Sequence, residues 1–150
     1  MSLRPRRLLF ICAGNICRSP MAAALAERAG DRLGIEVSAR SAGTLGITDK
    51  PAHPRAVAVC REVGIDLTAH RSQGISEELI AWADRVLVME LDQATHLRTY
   101  YPSVGDKVLL LGPFGGVADI PDPIGGWIWR FRGSRRLIEA CVEGLLRRVG

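Results

Sequence analysis

A chain of 150 residues, 47% hydrophobic and 24% charged, is long enough for one core and fits neither a disordered nor a fibrous class, so a single domain over 1–150 is expected. The net charge of +4 invites a nucleic-acid partner, but the basic residues gather at Arg4, Arg6 and Arg7 and along Arg130 to Arg148 without any nucleic-acid module pattern. They read as a solvated arm and the outer face of a last helix. Leu8 to Ala13 is too short to cross a bilayer or to form a signal core, and the 4 cysteines (Cys12, Cys17, Cys60, Cys141) match neither a disulfide scaffold nor a zinc site. A cytoplasmic protein with reduced thiols is expected, with neither membrane nor nucleic acid as partner.

In chain order, Leu8 to Cys12 is a continuous apolar run ending before Gly14, which predicts a strand buried on both faces. Ser19-Pro20 opens a helix, with Ser19 at or near the cap and Gly34 at its end. Ile35 to Ser41 alternates as a second strand, and Pro54 to Val63 is a helix closed by Gly64. A helix from Ser76 through Trp82 precedes a second buried strand, Arg85 to Glu90. Asp92 to Tyr101 is helical, and Lys107 to Leu111 is the last strand. Gly112 to Gly126, rich in glycine and proline, is a long loop before a final helix, Trp127 to Val149. On that helix Ile128, Phe131, Ile138, Val142, Leu145 and Val149 recur at helical spacing. Alternating strands and helices predict a three-layer α/β/α fold with a four-stranded, mainly parallel twisted sheet. Ligands of such sheets bind beyond the carboxyl ends of the strands, where Cys12 lies.

The segment Cys12-Ala13-Gly14-Asn15-Ile16-Cys17-Arg18-Ser19 joins that first strand to the first helix. Its amides can turn inward around a dianion, and the helix start adds positive potential. Gly14 allows backbone conformations closed to other residues, and Asn15 is the next most tolerant type. The planar fork of Arg18 matches two phosphate oxygens. The same field stabilises a thiolate at Cys12, placed for in-line attack on a bound phosphoryl group. The Ser19 hydroxyl can donate to that sulfur when it departs. A Cys and an Arg six residues apart occur by chance; the longer string after an apolar strand is far more specific.

This string resembles the phosphate loop of the low-molecular-weight protein tyrosine phosphatase family, and the likeness runs over nearly the whole chain. Ser41-Ala42-Gly43-Thr44, Pro54-Arg55-Ala56 and Gly64-Ile65 are similar to the strand end and helix that follow in the family. The resemblance implies that His70-Arg71-Ser72 supplies a histidine supporting the loop, and that Asn15 hydrogen-bonds to Ser41 and His70. It also implies that Asp122, within Pro121-Asp122-Pro123, is the general acid, a role the chemistry demands because a leaving oxygen needs a proton. Asp119 is the rival carboxylate, and His53 and His96 carry no motif. No metal or cofactor is required. The expected ligands are a phosphorylated protein or small aryl phosphate, with inorganic phosphate or sulfate in the loop, and the expected state is a monomer or weak dimer.

Many family members sandwich a substrate ring between aromatic residues; here the corresponding loops read Leu45-Gly46-Ile47-Thr48 and Asp122-Pro123-Ile124, so aliphatic contact replaces stacking. Trp127 and Trp129 could line the entrance instead, although for either one a core position is the simpler reading. Met89-Glu90 stands where the family usually has Met-Asp. Within the family a branched apolar residue at the place of Ile16 goes with phosphotyrosine and Thr with phosphoarginine, so Ile16 favours an aryl phosphate. Protein phosphoarginine phosphatase is the alternative. A thiol-dependent arsenate reductase would need a second redox cysteine near Cys60, and a phosphate-binding regulatory module would not need Asp122. Cys12 and Cys17 lie close enough on a curled loop for a protective disulfide under oxidation.

Overall fold

The computed structural model describes residues 6–149, so Arg4 and the side chain of Val149 lie outside it. Strand β1 (Arg6–Cys12) is followed by α1 (Arg18–Leu33), β2 (Val37–Gly43), α2 (Pro54–Arg61), α3 (Glu77–Trp82), β3 (Arg85–Val88), α4 (Leu91–Tyr100), β4 (Val108–Leu110) and α5 (Ile128–Val149). The strands lie in the order β2-β1-β3-β4, and every pairing is parallel. Among the described residues the sheet is therefore the predicted one, with no antiparallel member.

The unbroken apolar run in β1 has a direct cause. Leu8, Phe10 and Cys12 point into a core shared with α1, α2 and α5, while Leu9 and Ile11 point into a second core under α3 and α4. A strand covered on both faces has no polar side to alternate with. The chain passes from β1 outward to β2, then returns to the other side of β1 as β3. The carboxyl end of β1 is thus a topological switch point, where two connections diverge and leave a crevice.

Several element boundaries differ from expectation, β2 among them, which runs over Val37–Gly43 rather than from Ile35 to Ser41. The strand predicted through Glu90 stops at Val88, because Gln93 Oε1 accepts hydrogen bonds from the amides of Met89 (2.8 Å) and Glu90 (3.1 Å) and turns the chain into α4. Two 3-10 segments, Pro102–Lys107 and Gly112–Gly115, occupy stretches with no helical periodicity in the sequence. Both carry proline in the first turn, which supplies the fixed φ such a turn needs. Finally, α1 begins at Arg18 with Cys17 in the cap position, so Ser19 is inside the first turn and its hydroxyl is free for another task. Among the described residues no helix is long and apolar enough to cross a membrane.

Candidate active site

Residues 12–19 curl into a loop whose carbonyls are bonded outward. The Cys12 carbonyl accepts from Thr44 N (3.0 Å), that of Ala13 from Leu45 N (3.0 Å), and that of Ile16 from His53 N (2.8 Å). The Asn15 carbonyl lies 2.7 Å from His70 Nε2. A carbonyl can only accept, so this ring nitrogen carries the proton. Burial holds the His70 imidazole below its ordinary pKa, which keeps it neutral near pH 7 with that tautomer in place. Because these four carbonyls are engaged from outside the loop, its amides remain available to a ligand in the hollow. The Asn15 amide donates to Cys12 Sγ at 3.3 Å, so the sulfur lies at the base of this ring.

The left-handed residue of the loop is Asn15 (φ 58°), while Gly14 has no positive φ, which corrects the expectation placed on the glycine. The Asn15 side chain offsets the strain by bonding on both ends. Its Nδ2 donates to Ser19 Oγ at 2.8 Å, and its Oδ1 accepts from Gln73 N at 3.0 Å. Because Ser19 Oγ already accepts that bond, its own proton is available to Cys12 Sγ, 2.9 Å away. Asn15 and Ser19 are fully buried and Arg18 nearly so.

The supporting residues differ from the expected set. His70 meets the Asn15 main chain rather than its side chain. Ser41 contributes its carbonyl, which accepts from Gln73 Nε2 at 3.0 Å; among the described residues its hydroxyl makes no bond to Asn15. Gln73 does the bridging, and no sequence signal pointed to it. His53, without a motif, accepts from Arg55 N at 3.1 Å through Nδ1, stacks on Phe131, and braces the loop through its own amide.

The glycine of Ser41-Ala42-Gly43-Thr44 has a steric cause. Gly43 pairs with Cys12 across the sheet, and a Cβ there would meet Ala13 O at 2.6 Å and Asn15 N at 3.1 Å. Gly43→Ala is expected to cost about 1–3 kcal/mol in urea denaturation and to weaken phosphate binding, because the loop must shift outward. Unchanged phosphate affinity in a folded variant would show that the loop does not need this approach.

Arg18 is anchored from behind. Its Nη1 donates to Glu90 Oε1 at 2.7 Å and to the Ile120 carbonyl at 2.9 Å, while Nη2 lies 3.6 Å from Asp122 Oδ2. Like Gln73, Glu90 had no role assigned from the sequence, and the departure from the family's usual Asp was its only trace. Glu90→Gln keeps the shape but removes the charge, so kcat/KM is expected to fall roughly tenfold, mostly through KM. An unchanged KM would show that Ile120 alone holds the guanidinium.

Cys12, Gly14, Ile16, Arg18 and Asp122 line one cavity of about 240 Å³, walled by Leu45, Ile47 and Ile124. The aliphatic wall is therefore real. Asp119, the rival carboxylate, is exposed and is not among the residues lining this cavity. Asp122 Oδ1 accepts from Ile124 N at 3.0 Å, a local turn that aims the carboxylate. Trp127 (69% exposed) and Trp129 (66%) are both outside the core, contrary to the simpler reading; Phe131 takes the inward position instead. Cys17 and Cys60 are buried thiols pushed up to about 12, chiefly by burial. Cys60 is a free thiol buried in the core, and the sequence places no second cysteine close to it along the chain.

The family model "Low molecular weight phosphotyrosine protein phosphatase" matches residues 7–150. A protein-arginine-phosphatase of Geobacillus stearothermophilus is 39% identical over 97% of this chain and 97% of its own length. A YwlE mutant from Bacillus subtilis superposes with a TM-score of 0.90 at 34% identity, covering 96% of this chain and 98% of that one. The tyrosine phosphatase Wzb from Escherichia coli K30, in complex with sulphate, superposes with a TM-score of 0.87 at 29% identity over 96% and 98% of the two chains. With outward-tied carbonyls, a sulfur at the base and an anchored arginine in the loop that this family model covers, the chain belongs to the low molecular weight protein tyrosine phosphatase family of phosphoric monoester hydrolases.

Proposed function

We propose that the protein dephosphorylates phosphotyrosine or another aryl phosphate in two steps at Cys12. The phosphoryl group enters the loop, held by the amides of 13–19 and by Arg18. The thiolate attacks phosphorus in line, the S–P bond forms, and the O–P bond breaks as Asp122 gives its proton to the leaving oxygen. The Asp122 carboxylate then takes a proton from water, which attacks phosphorus and expels the sulfur. Hydrogen bonds from Ser19 and the Asn15 amide receive the returning anion.

The observation that carries this reading is the convergence of Cys12, Arg18 and Asp122 on one cavity. Every group needed comes from one chain, so a monomer or weak dimer suffices, and the thiolate calls for reducing surroundings such as the cytoplasm. Rapid mixing with p-nitrophenyl phosphate tests it: a stoichiometric burst of p-nitrophenol is expected, and binding of phosphate without turnover would leave only a regulatory module.

A second reading, protein phosphoarginine phosphatase, is favoured by the name of the Geobacillus relative. Ile16 borders the cavity and supports the aryl reading, since its side chain offers no hydrogen bond to a guanidine nitrogen. Comparison of kcat/KM for matched phosphotyrosine and phosphoarginine peptides, in wild type and Ile16→Thr, separates the two.

The proposed Cys12–Cys17 disulfide would form when the Cys17 thiol displaces water from a sulfenic acid on oxidised Cys12. Attack needs the Cys17 thiolate, and its pKa, raised to about 12, leaves almost none at neutral pH. Closure after peroxide treatment is therefore expected to speed up about tenfold per pH unit between pH 7 and 9, followed by mapping of the linked peptide. A rate that is flat over that interval would rule out Cys17 as the attacking thiol.

A further inference from the structure

We propose that a cavity at the amino ends of the strands, on the opposite edge of the sheet from Cys12, is a second anion site that takes a small oligophosphate. The cavity is about 560 Å³ and its lining includes Arg7, Arg85, Lys107 and Arg148, with Asp84 and Trp82 between them. Arg7 is the second residue of β1, Arg85 opens β3 and Lys107 immediately precedes β4, so three neighbouring parallel strands each bring a cation to the same edge. Arg148 comes from the last turn of α5. A helix end explains a cation at Arg148 by its dipole, but it explains neither Arg7 nor Arg85, which are strand residues.

These charges are not neutralised within the chain. Among the described residues none of the four pairs with a carboxylate. Arg85 Nη1 donates to the Asp84 carbonyl at 3.0 Å, Lys107 Nζ to the Ile80 carbonyl at 2.8 Å, and the Arg148 guanidinium lies 5.6 Å from the Phe114 ring. Asp84 Oδ2 accepts from the Arg7 main-chain amide at 2.8 Å. Against the one carboxylate in the lining, Asp84, these four cations give the hollow a net positive field. The outer two strands of a three-strand span are about 10 Å apart, too far for one phosphoryl group to bridge and suited to a chain of two or three. A hollow of this size suits a small polyanion better than a flat protein face does. The site lies at the far end of β1 from Cys12, about 16 Å along the strand, so it is distinct from the phosphate loop.

The test is calorimetric titration of tripolyphosphate into protein whose Cys12 site is first saturated with vanadate. Saturable binding at one site with a Kd of about 10⁻⁴ M or tighter is expected. Arg7→Glu with Arg85→Glu should weaken it at least tenfold while leaving p-nitrophenyl phosphate turnover of vanadate-free protein unchanged. Arg28→Glu with Arg136→Glu, an equal charge change elsewhere, should leave it unchanged. Trp82 fluorescence should respond to the ligand, and Trp82→Phe should lose that response while the heat remains. ATP serves as the second arm: affinity equal to tripolyphosphate assigns recognition to the phosphates alone, and tighter binding adds a base contact, either result supporting the site. Absence of saturable binding, equal weakening by both charge-reversal pairs, or tighter binding of a polyglutamate peptide at matched charge would overturn it.

Discussion

Cys12→Ser protein is expected to lose turnover of p-nitrophenyl phosphate by at least about 10⁴-fold and yet to bind inorganic phosphate within a few-fold of wild type. The two halves of this result have separate causes. Turnover needs a nucleophile that is anionic at working pH and leaves readily in the second step; a serine hydroxyl in the same place is neither. Binding needs donors directed at the oxyanion, and these are not on Cys12. They are the loop amides, left available because Thr44, Leu45, His53 and His70 engage the carbonyls from outside the loop, and the Arg18 guanidinium held by Glu90 and Ile120. Phosphate affinity by calorimetry and turnover by p-nitrophenol release check both. Loss of phosphate binding along with turnover would mean that the sulfur itself organises the loop, and the account of outward-tied carbonyls would fail.

Asp122→Ala is expected to slow phosphotyrosine or alkyl phosphate hydrolysis by about 10²–10⁴-fold and p-nitrophenyl phosphate hydrolysis much less. The contrast follows from the leaving group: p-nitrophenoxide is stable enough to depart without a proton, whereas a poorer leaving group waits for one. Asp122 lines the cavity with Cys12 and stands 3.6 Å from Arg18 Nη2, so its carboxylate reaches the mouth where the leaving oxygen must lie. Removing it also frees Arg18 from one carboxylate, so KM for phosphate monoesters is expected to hold or fall while kcat drops. Equal slowing across leaving groups would remove Asp122 from proton transfer and leave it a loop-shaping residue.

The phosphate loop itself was legible because its requirements are local. A nucleophile at a strand end, a tolerant residue for the tight turn and a cation at the helix start must follow one another in the chain, so they leave a contiguous string. The double burial of β1 was legible for a similar reason, since a strand with no polar face reads as an unbroken apolar run. Asp122 needed the family likeness, because an aspartate between two prolines reads equally well as a turn.

Glu90 and Gln73 could not be read. Glu90 reaches Arg18 across 72 residues and Gln73 reaches Asn15 across 58, and a carboxylate or amide in either place looks like any polar loop residue. Trp127 precedes α5 and Trp129 lies off the stripe that carries Ile128 and Phe131, and whether another segment covers either ring is decided only by packing. The anion cavity is of the same kind: its cations are scattered between positions 7 and 148, and only the parallel order β2-β1-β3-β4 brings three strand beginnings to one edge.

The amino-acid sequence alone determined the layers, the order of elements and the chemistry available at Cys12, since each depends on residues within a few positions of one another. Tertiary structure alone decided which groups hold that chemistry in place: the outward bonds of the loop carbonyls, the anchor on Arg18 and the close approach that requires glycine at position 43. These depend on distances between segments remote along the chain, and such distances are set only when the sheet pairs and its helices pack.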